Sequence, residues 1–274
     1  MVSVVIPVRN GGASFEAQLA ALAAQDHEGP WELIVSDNGS TDDTRRRLAD
    51  WAERLPQMRV VDGSARPGAS AARMDGVAAS HPLATRLLFC DADDLVSPSW
   101  VRGLSDALEA WPIATGPMVL VDADGVERAR STTVPRYYDL YGYALGASLG
   151  IRRDVLDDLG GFVVAPPGIS SGDAELGWRA HAAGYQVGWA PDAVVVKRRR
   201  PDLRGTWHQW YGYGRGARWI ARRHRAAGVA AARRRTQLRT LAWLVTHPIQ
   251  LGGPEGRRRW VCWAAQACGY ARSP

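Results

Sequence analysis

Lysine is all but missing from this 274-residue chain: Lys197 stands alone among 34 basic residues, and arginine supplies the rest. Cysteine is nearly as scarce. Cys90, Cys262 and Cys268 have no paired-ligand spacing and are too few for a disulfide framework, which excludes zinc and a stapled secreted domain and favours a reducing, cytoplasmic setting. No apolar run reaches the roughly 18 residues that a spanning helix needs, so any membrane association is expected to be peripheral, on the inner face. Met1 runs straight into VSVVIPV without a basic stretch, a long apolar region or a small-residue cleavage site, and no secretory leader is expected.

Acid is missing from one end. Residues 197 to 274 hold 18 of the 34 basic residues and only Asp202 and Glu255 of the 28 acidic ones, a net +16 against −10 for the rest. Composition bias alone would not concentrate charge in this way. A basic tail favours a polyanion: an anionic lipid surface, a phosphorylated substrate or nucleic acid. With 46% hydrophobic residues the chain is otherwise an ordinary globular one, long enough for one large or two modest domains.

Short β-branched runs alternate with helix-like segments through the first 130 residues, the pattern of an α/β domain built on a mainly parallel sheet. VSVVIPV, WELIVSD, MRVVDG and RLLFCDAD read as strands. ASFEAQLAALAAQ, TDDTRRRLADWAERL and SAARMDGVAASH read as the helices between them, the second with Thr41 as its expected N-cap. IATGPMVLVDADGVERARSTTV predicts two more strands about an Asp124-Gly125 turn. Helical spacing then runs from Asp173 to Ala183, Gly184 ends it, and APDAVVVK is the last strand of the body. Beyond Pro201 the composition turns to Trp, Tyr, Arg, Gly and Ala, which sets a boundary between a body, 1–200, and a tail, 201–274.

In open α/β sheets, ligands bind beyond the carboxyl ends of the strands, and each predicted strand ends in polar residues or glycine. Asn10 and Gly11, then Asp37, Asn38, Gly39 and Ser40, then Asp91, Asp93 and Asp94 fall at such ends. Three carboxylates in four positions repel one another unless a cation or strong donors sit among them. Hard oxygen ligands suit Mg²⁺ or Mn²⁺, with Asp91 and Asp93 the expected pair and Asp94 assisting or turned outward. Asp37 at its strand end suits hydrogen bonds to a base or ribose, and the following helix start suits phosphate, although the same residues also make an ordinary capped turn.

In order along the chain, VSVVIPVRN, ELIVSDNGSTDDT, RPGASAARMDG, LLFCDADD and SGDAELGWRAHAAGY resemble the motifs of family 2 glycosyltransferases, over about residues 2 to 198. The resemblance implies the GT-A fold: a Rossmann-like, mainly parallel central sheet flanked by helices. It implies a metal-dependent inverting transferase that moves a sugar to an acceptor hydroxyl from a nucleotide-sugar donor, UDP-sugar favoured, with GDP-, dTDP- and polyprenyl phosphate sugars also open; a lipid-linked or cell-envelope glycan, a peptide or a small metabolite would each suit as acceptor. By position it puts Pro7, Arg9, Asp37, Asn38 and Arg73 on the nucleotide side, with Asp37 against a uracil. It puts Asp91 on the diphosphate, Asp93 and Asp91 on Mn²⁺ or Mg²⁺, Asp173 as catalytic base, and Glu175 and Trp178 toward the acceptor. Two positions depart from the family pattern: Gly172 precedes Asp173 where Glu is common, and Lys197 stands where many members have a histidine near the metal.

The tail segment GTWHQWYGYGRGARWIARRHRAAG brings Trp207, Trp210, Tyr211, Gly214, Ala217, Ile220 and Ala221 near one helical face with arginines around it. Such a face suits a lipid interface or packing against the protein's own body; nucleic acid is the less favoured partner. A second reading of the whole chain is a non-catalytic GT-A-like nucleotide or polyanion binder tethered through this tail. Asp91, Asp93 and Asp173 argue against it.

Overall fold

The computed structural model describes residues 1–274 except 138, 139, 167, 170, 225–228, 249–251, 273 and 274, and no side chains over 229–234. In chain order the elements are β1 (Val2–Val8), α1 (Gly12–Ala23), β2 (Trp31–Asp37), α2 (Thr44–Trp51), β3 (Met58–Asp62), α3 (Ala69–Ala79), β4 (Arg86–Phe89) and β5 (Leu95–Val96). Next come α4 (Trp100–Ala110), β6 (Ile113–Thr115), β7 (Met118–Val121), β8 (Glu127–Arg130), β9 (Arg136–Tyr137), β10 (Tyr141–Gly142), β11 (Leu149–Arg152) and α5 (Arg153–Asp158). The chain ends with α6 (Gly172–Ala182), β12 (Val187–Trp189), β13 (Val195–Arg198), α7 (Leu203–Arg223), α8 (Val229–Thr246) and α9 (Pro254–Arg272). Two compact units result: one of residues 1–136, 141–164 and 172–198, the other of 137–140, 165–171 and 199–274.

The first unit is built on a seven-stranded sheet in the order β12-β6-β11-β4-β1-β2-β3. β1 runs parallel to β2 and β4, β2 to β3, and β6 to β12; β11 alone is antiparallel to its neighbours. The near-continuous apolar runs of β1 and β2 follow from burial on both faces, as a helix-covered parallel sheet requires. Phe15, Leu19 and Leu22 of α1 pack into one core with Val4, Leu33, Leu88 and Trp100; Val5, Ile34 and Phe89 meet Phe162 and Leu176 in the other. Pro7 lies past Val5, where pairing of β1 to β4 has already stopped, so its missing N–H takes no bond from that ladder.

From β1 the chain steps to β2 and β3 on one side and then returns to lay β4 on the other. That reversal opens a crevice at the carboxyl ends of β1 and β4. A second, four-stranded sheet, β5-β13-β7-β8, closes one side of it, and β13 runs antiparallel to β5 with Val196 opposite Leu95. The turn through Gly125, at φ 82°, joins β7 to β8 as the Asp-Gly pair predicts.

Two local expectations change. α2 starts at Thr44, not after Thr41, because the Asp42 carboxylate accepts from the Thr44 N–H (3.1 Å) and hydroxyl (2.5 Å), while the Thr41 N–H is bonded to the Asn10 side chain (2.8 Å). The structure also adds α4, which none of the sequence expectations covered; its buried Trp100, Val101, Leu104 and Leu108 fall at helical spacing.

The second unit is helical. Asp202 caps α7 by accepting from the Gly205 N–H (2.6 Å). Gly214, Ala217, Ile220 and Ala221, the core of the expected amphipathic face, are buried. They are covered from within the unit: a Cβ at Gly214 would sit 2.2 Å from the Gln266 carbonyl oxygen, and one at Gly269 would sit 2.1 Å from that of Tyr211. Small residues thus let α7 and α9 approach backbone to backbone, with Trp210 and Trp263 at 6.0 Å beside the crossing. Among the unit's described residues, α7 leaves Leu203 and Tyr213 exposed, and the most exposed large apolar positions lie on α8, at Leu238 and Val245 with Leu241 beside them.

Candidate functional site

Three loops meet at the carboxyl edge of the sheet. Asn10, at φ 55°, turns the chain out of β1; its N–H donates to the Ser40 hydroxyl (2.9 Å), which laces the β1 end to the β2 end. Asp37 closes β2 almost wholly buried, accepting from the Ser40 N–H (2.9 Å) and from Arg45 Nε (2.5 Å). Burial alone would raise its pKa, but those two donors outweigh it and hold the carboxylate below its usual range. A cleft of about 410 Å³ opens beside Asp37 and Arg45, walled by Leu48 on one side and Met58 and Asp62 on the other.

Asn38 is buried and fully engaged: its amide donates to the Gly63 (2.5 Å) and Arg66 (2.8 Å) carbonyls and accepts from the Gly68 N–H (2.8 Å). It ties loops together. Arg9 is exposed and Pro7 half-buried within β1. The structure therefore brings Asp37 to a cleft, while the Asn38 side chain is spent on the loops around Gly63, Arg66 and Gly68.

At the end of β4, ligand oxygens of Asp91, Asp93 and Asp94 lie within 4.8 Å of one another. Their donors are two cations from distant parts of the chain. Arg73, buried on α3, donates to Asp91 Oδ1 (2.7 Å); Lys197, on β13, donates to Asp94 Oδ2 (2.7 Å) and Oδ1 (3.0 Å) and reaches Asp91 Oδ2 (3.5 Å). The pairing of β13 with β5, which starts one residue after Asp94, is what delivers the lysine there. Burial works against the Lys197 ammonium, but Asp91 and Asp94 outweigh it and hold its pKa well above the ordinary lysine value. Burial likewise opposes ionisation of Asp91, yet Arg73 and Lys197 hold that carboxyl below its usual range; for Asp94 burial wins and pushes it up to about 7. Asp94 is not turned outward: it is 1% exposed, and Asp93 is the exposed member.

Arg73 also donates to the Gly146 carbonyl (3.2 Å), and the Gly146 N–H donates to Asp173 Oδ2 (2.9 Å). One hydrogen-bonded chain therefore runs Asp94, Lys197, Asp91, Arg73, Gly146, Asp173. Gly146 has no room for a side chain, since a Cβ would stand 2.9 Å from the Arg73 guanidinium. Asp173 opens α6 with Oδ1 on the Ala174 N–H (2.8 Å), so both its oxygens are oriented by backbone donors. Gly172 before it is buried, and a Cβ there would meet the Ser70 hydroxyl at 2.2 Å, so close packing on α3 accounts for the missing glutamate.

Of the two residues expected toward the acceptor, Glu175 is buried and Trp178 half-buried. Glu175 is 0% exposed and paired with Arg179 (2.8 Å), which also donates to the Leu159 and Gly161 carbonyls; it anchors the turn after α5. Trp178 packs edge-on against Tyr141 (5.5 Å) and near His181 (5.9 Å), in an aromatic cluster on α6.

Sequence reasoning missed Gln18. Fully buried on α1, its amide donates to Cys90 Sγ and the Asp91 carbonyl (both 3.3 Å) and accepts from the Val96 N–H (3.1 Å), gripping both ends of the aspartate loop. The available signal was a glutamine among Phe15, Leu19 and Leu22 on the apolar face of the helix. Gln18→Leu should orphan two backbone groups and destabilise the fold by about 1–3 kcal/mol; chemical denaturation measures this, and an unchanged midpoint would contradict the role.

The fold is that of the GT-A glycosyltransferases. A mannosyltransferase, PcManGT from Pyrobaculum calidifontis, in complex with GDP-Man and Mn²⁺, has the same fold at a TM-score of 0.68, over 99% of this chain and 86% of that one, with 19% identity. The sequence goes further: the family model Glycosyl transferase family 2 matches residues 3–160, more than half of the chain, and the chain belongs to that family. A second model, Glycosyl transferase family group 2, matches residues 87–265. Glycosyltransferase AglE of Haloferax volcanii is 28% identical over 73% of this chain and 67% of its own length. The succinoglycan biosynthesis protein ExoA of Rhizobium meliloti is 26% identical over 97% and 83%. Among the described residues, no helix is long and apolar enough to cross a membrane.

Proposed function

We propose that this glycosyltransferase is an inverting, divalent-cation-dependent enzyme that takes its sugar from a nucleotide-sugar, UDP-sugar favoured, with residues 1–200 as catalytic body and 201–274 as a surface-seeking tail. The observation that carries the reading is the hydrogen-bonded chain from the aspartate cluster through Arg73 and Gly146 to Asp173, which couples the diphosphate side to the base side. Asp37 and Arg45 at the mouth of the cleft would receive the nucleobase, the carboxylate accepting its ring N–H. Arg73, Arg9 and Pro7 complete the nucleotide side.

The donor set fits a hard cation, being all carboxylate oxygen within 4.8 Å. Asp93 and Asp91 would hold Mn²⁺ or Mg²⁺, because Lys197 already engages Asp94. Bound there, the cation supplies positive charge for the departing nucleotide diphosphate. Asp173 does the proton work: with both oxygens fixed by backbone N–H groups, its remaining lone pairs accept the proton of the acceptor hydroxyl as that oxygen attacks the anomeric carbon. Attack from the side opposite the diphosphate inverts the carbon. Incubating the protein with UDP-, GDP- and dTDP-sugars, reading released nucleotide and assigning the product anomer by NMR, tests this; a product of retained configuration contradicts it.

Likeness to a succinoglycan biosynthesis protein supports a cell-envelope or lipid-linked glycan as acceptor. So does α8, where Leu238, Leu241 and Val245 are 68%, 47% and 79% exposed on one face with Arg235 and Arg239 exposed on the same helix. That arrangement favours the anionic inner surface of a membrane over nucleic acid. The expected result is co-sedimentation with phosphatidylglycerol vesicles but not zwitterionic ones, falling with salt and lost in Leu241→Glu. Equal binding to both vesicle types would remove the membrane from the account.

A further inference from the structure

Lys197 occupies the aspartate cluster as a cation in its own right. Its ammonium nitrogen stands 2.7 and 3.0 Å from the two oxygens of Asp94 and 3.5 Å from Asp91, while Arg73 holds the other oxygen of Asp91 at 2.7 Å. Three carboxylates thus face two resident positive charges, so at most one net negative charge is left in the free protein to attract a divalent cation. We propose that Lys197 is an internal counter-cation that keeps the metal site closed until a nucleoside diphosphate arrives, making the cation bind with the nucleotide rather than ahead of it. This rests on the donor and cation reading above and adds an order of assembly to it.

The physical argument is one of charge and space. Without nucleotide, a divalent cation on Asp91 and Asp93 would sit close to a half-buried ammonium pinned to Asp94, and like charges so near each other repel with little solvent between them. It would also share Asp91, the one carboxylate both cations can reach. A diphosphate changes the balance by bringing its own negative oxygens, which can ligate the metal and accept from the ammonium at once. The ammonium is then a phosphate ligand in place rather than a competitor. Asp94, buried beneath it, positions Lys197 and does not itself ligate.

The test is Mn²⁺ binding, followed by electron paramagnetic resonance of the free ion, on the full-length protein with and without saturating UDP or GDP. In the wild type the affinity should be at least about tenfold higher with nucleotide, or about 1.4 kcal/mol. In Lys197→Gln, which keeps a donor to Asp94 but removes the charge, Mn²⁺ alone should bind at least about tenfold tighter than to wild type; Lys197→Arg should behave as wild type. Equal Mn²⁺ affinity of wild type with and without nucleotide overturns the proposal even if no variant folds. So does an unchanged or weaker affinity in a folded Lys197→Gln protein, in which case nucleotide-linked Mn²⁺ binding by the wild type still leaves the donor reading standing. No Mn²⁺ binding under any condition removes both.

Discussion

Asp173→Asn should lower kcat by about 10²- to 10⁴-fold or more while nucleotide affinity stays within about twofold. The asparagine keeps the volume and one acceptor oxygen, so it can still receive either the Gly146 or the Ala174 N–H, which wild-type Asp173 receives at 2.9 and 2.8 Å. Loss of the other bond costs about 1 kcal/mol, too little to unfold the domain. What it cannot keep is the ability to take a proton. Asn keeps a hydrogen bond at this position, and the printed bonds link Asp173 to the aspartate cluster through Gly146 and Arg73 and not directly, so the change passed to the nucleotide side should be small. Parallel loss of nucleotide affinity and turnover would show that Asp173 shapes the donor site instead, and the base would have to be sought elsewhere.

Asp93→Asn should be the second severe variant, and for a different reason. Asp93 is the exposed member of the cluster, so the substitution should leave the melting temperature nearly unchanged. Removing a hard anionic ligand should nevertheless weaken Mn²⁺-dependent nucleotide binding by about 10²-fold, or about 2.7 kcal/mol, with turnover falling at least as far. Asp94→Asn offers the contrast. Asp94 is 1% exposed beneath Lys197 and accepts from its ammonium at 2.7 and 3.0 Å, so that variant should lose stability first. Equal stability losses in the two variants would undo the division of labour between a ligating Asp93 and a positioning Asp94.

The parallel body of the fold was legible because burial on both faces leaves unbroken apolar runs such as VSVVIPV and LIV, each ending in residues that only a loop would want. The positions of Asp37, Asp91 and Asp93 at the strand ends were legible for the same reason, since each stands where a buried apolar run stops. What could not be read were contacts closed by the chain over long separations. Gln18 meets Val96 across 78 residues, Arg73 meets Gly146 across 73, and Lys197 meets Asp94 across 103; no periodicity encodes such pairs. Glu175, expected toward the acceptor, is fully buried against Arg179 four residues on, a pair that local spacing permits but does not require. On α7 the sequence pattern does not say which residues of the expected face admit another helix. Gly214 does so, together with Gly269 of α9, because neither has a side chain to hold the two backbones apart.

The most direct test of the account is calorimetric titration of the protein with UDP, GDP and dTDP, each with and without Mn²⁺. The account predicts that one nucleotide, UDP in the first instance, binds at least about tenfold tighter when Mn²⁺ is present, a gain of about 1.4 kcal/mol. Nucleotide binding indifferent to the cation, or no binding of any of the three, would contradict it.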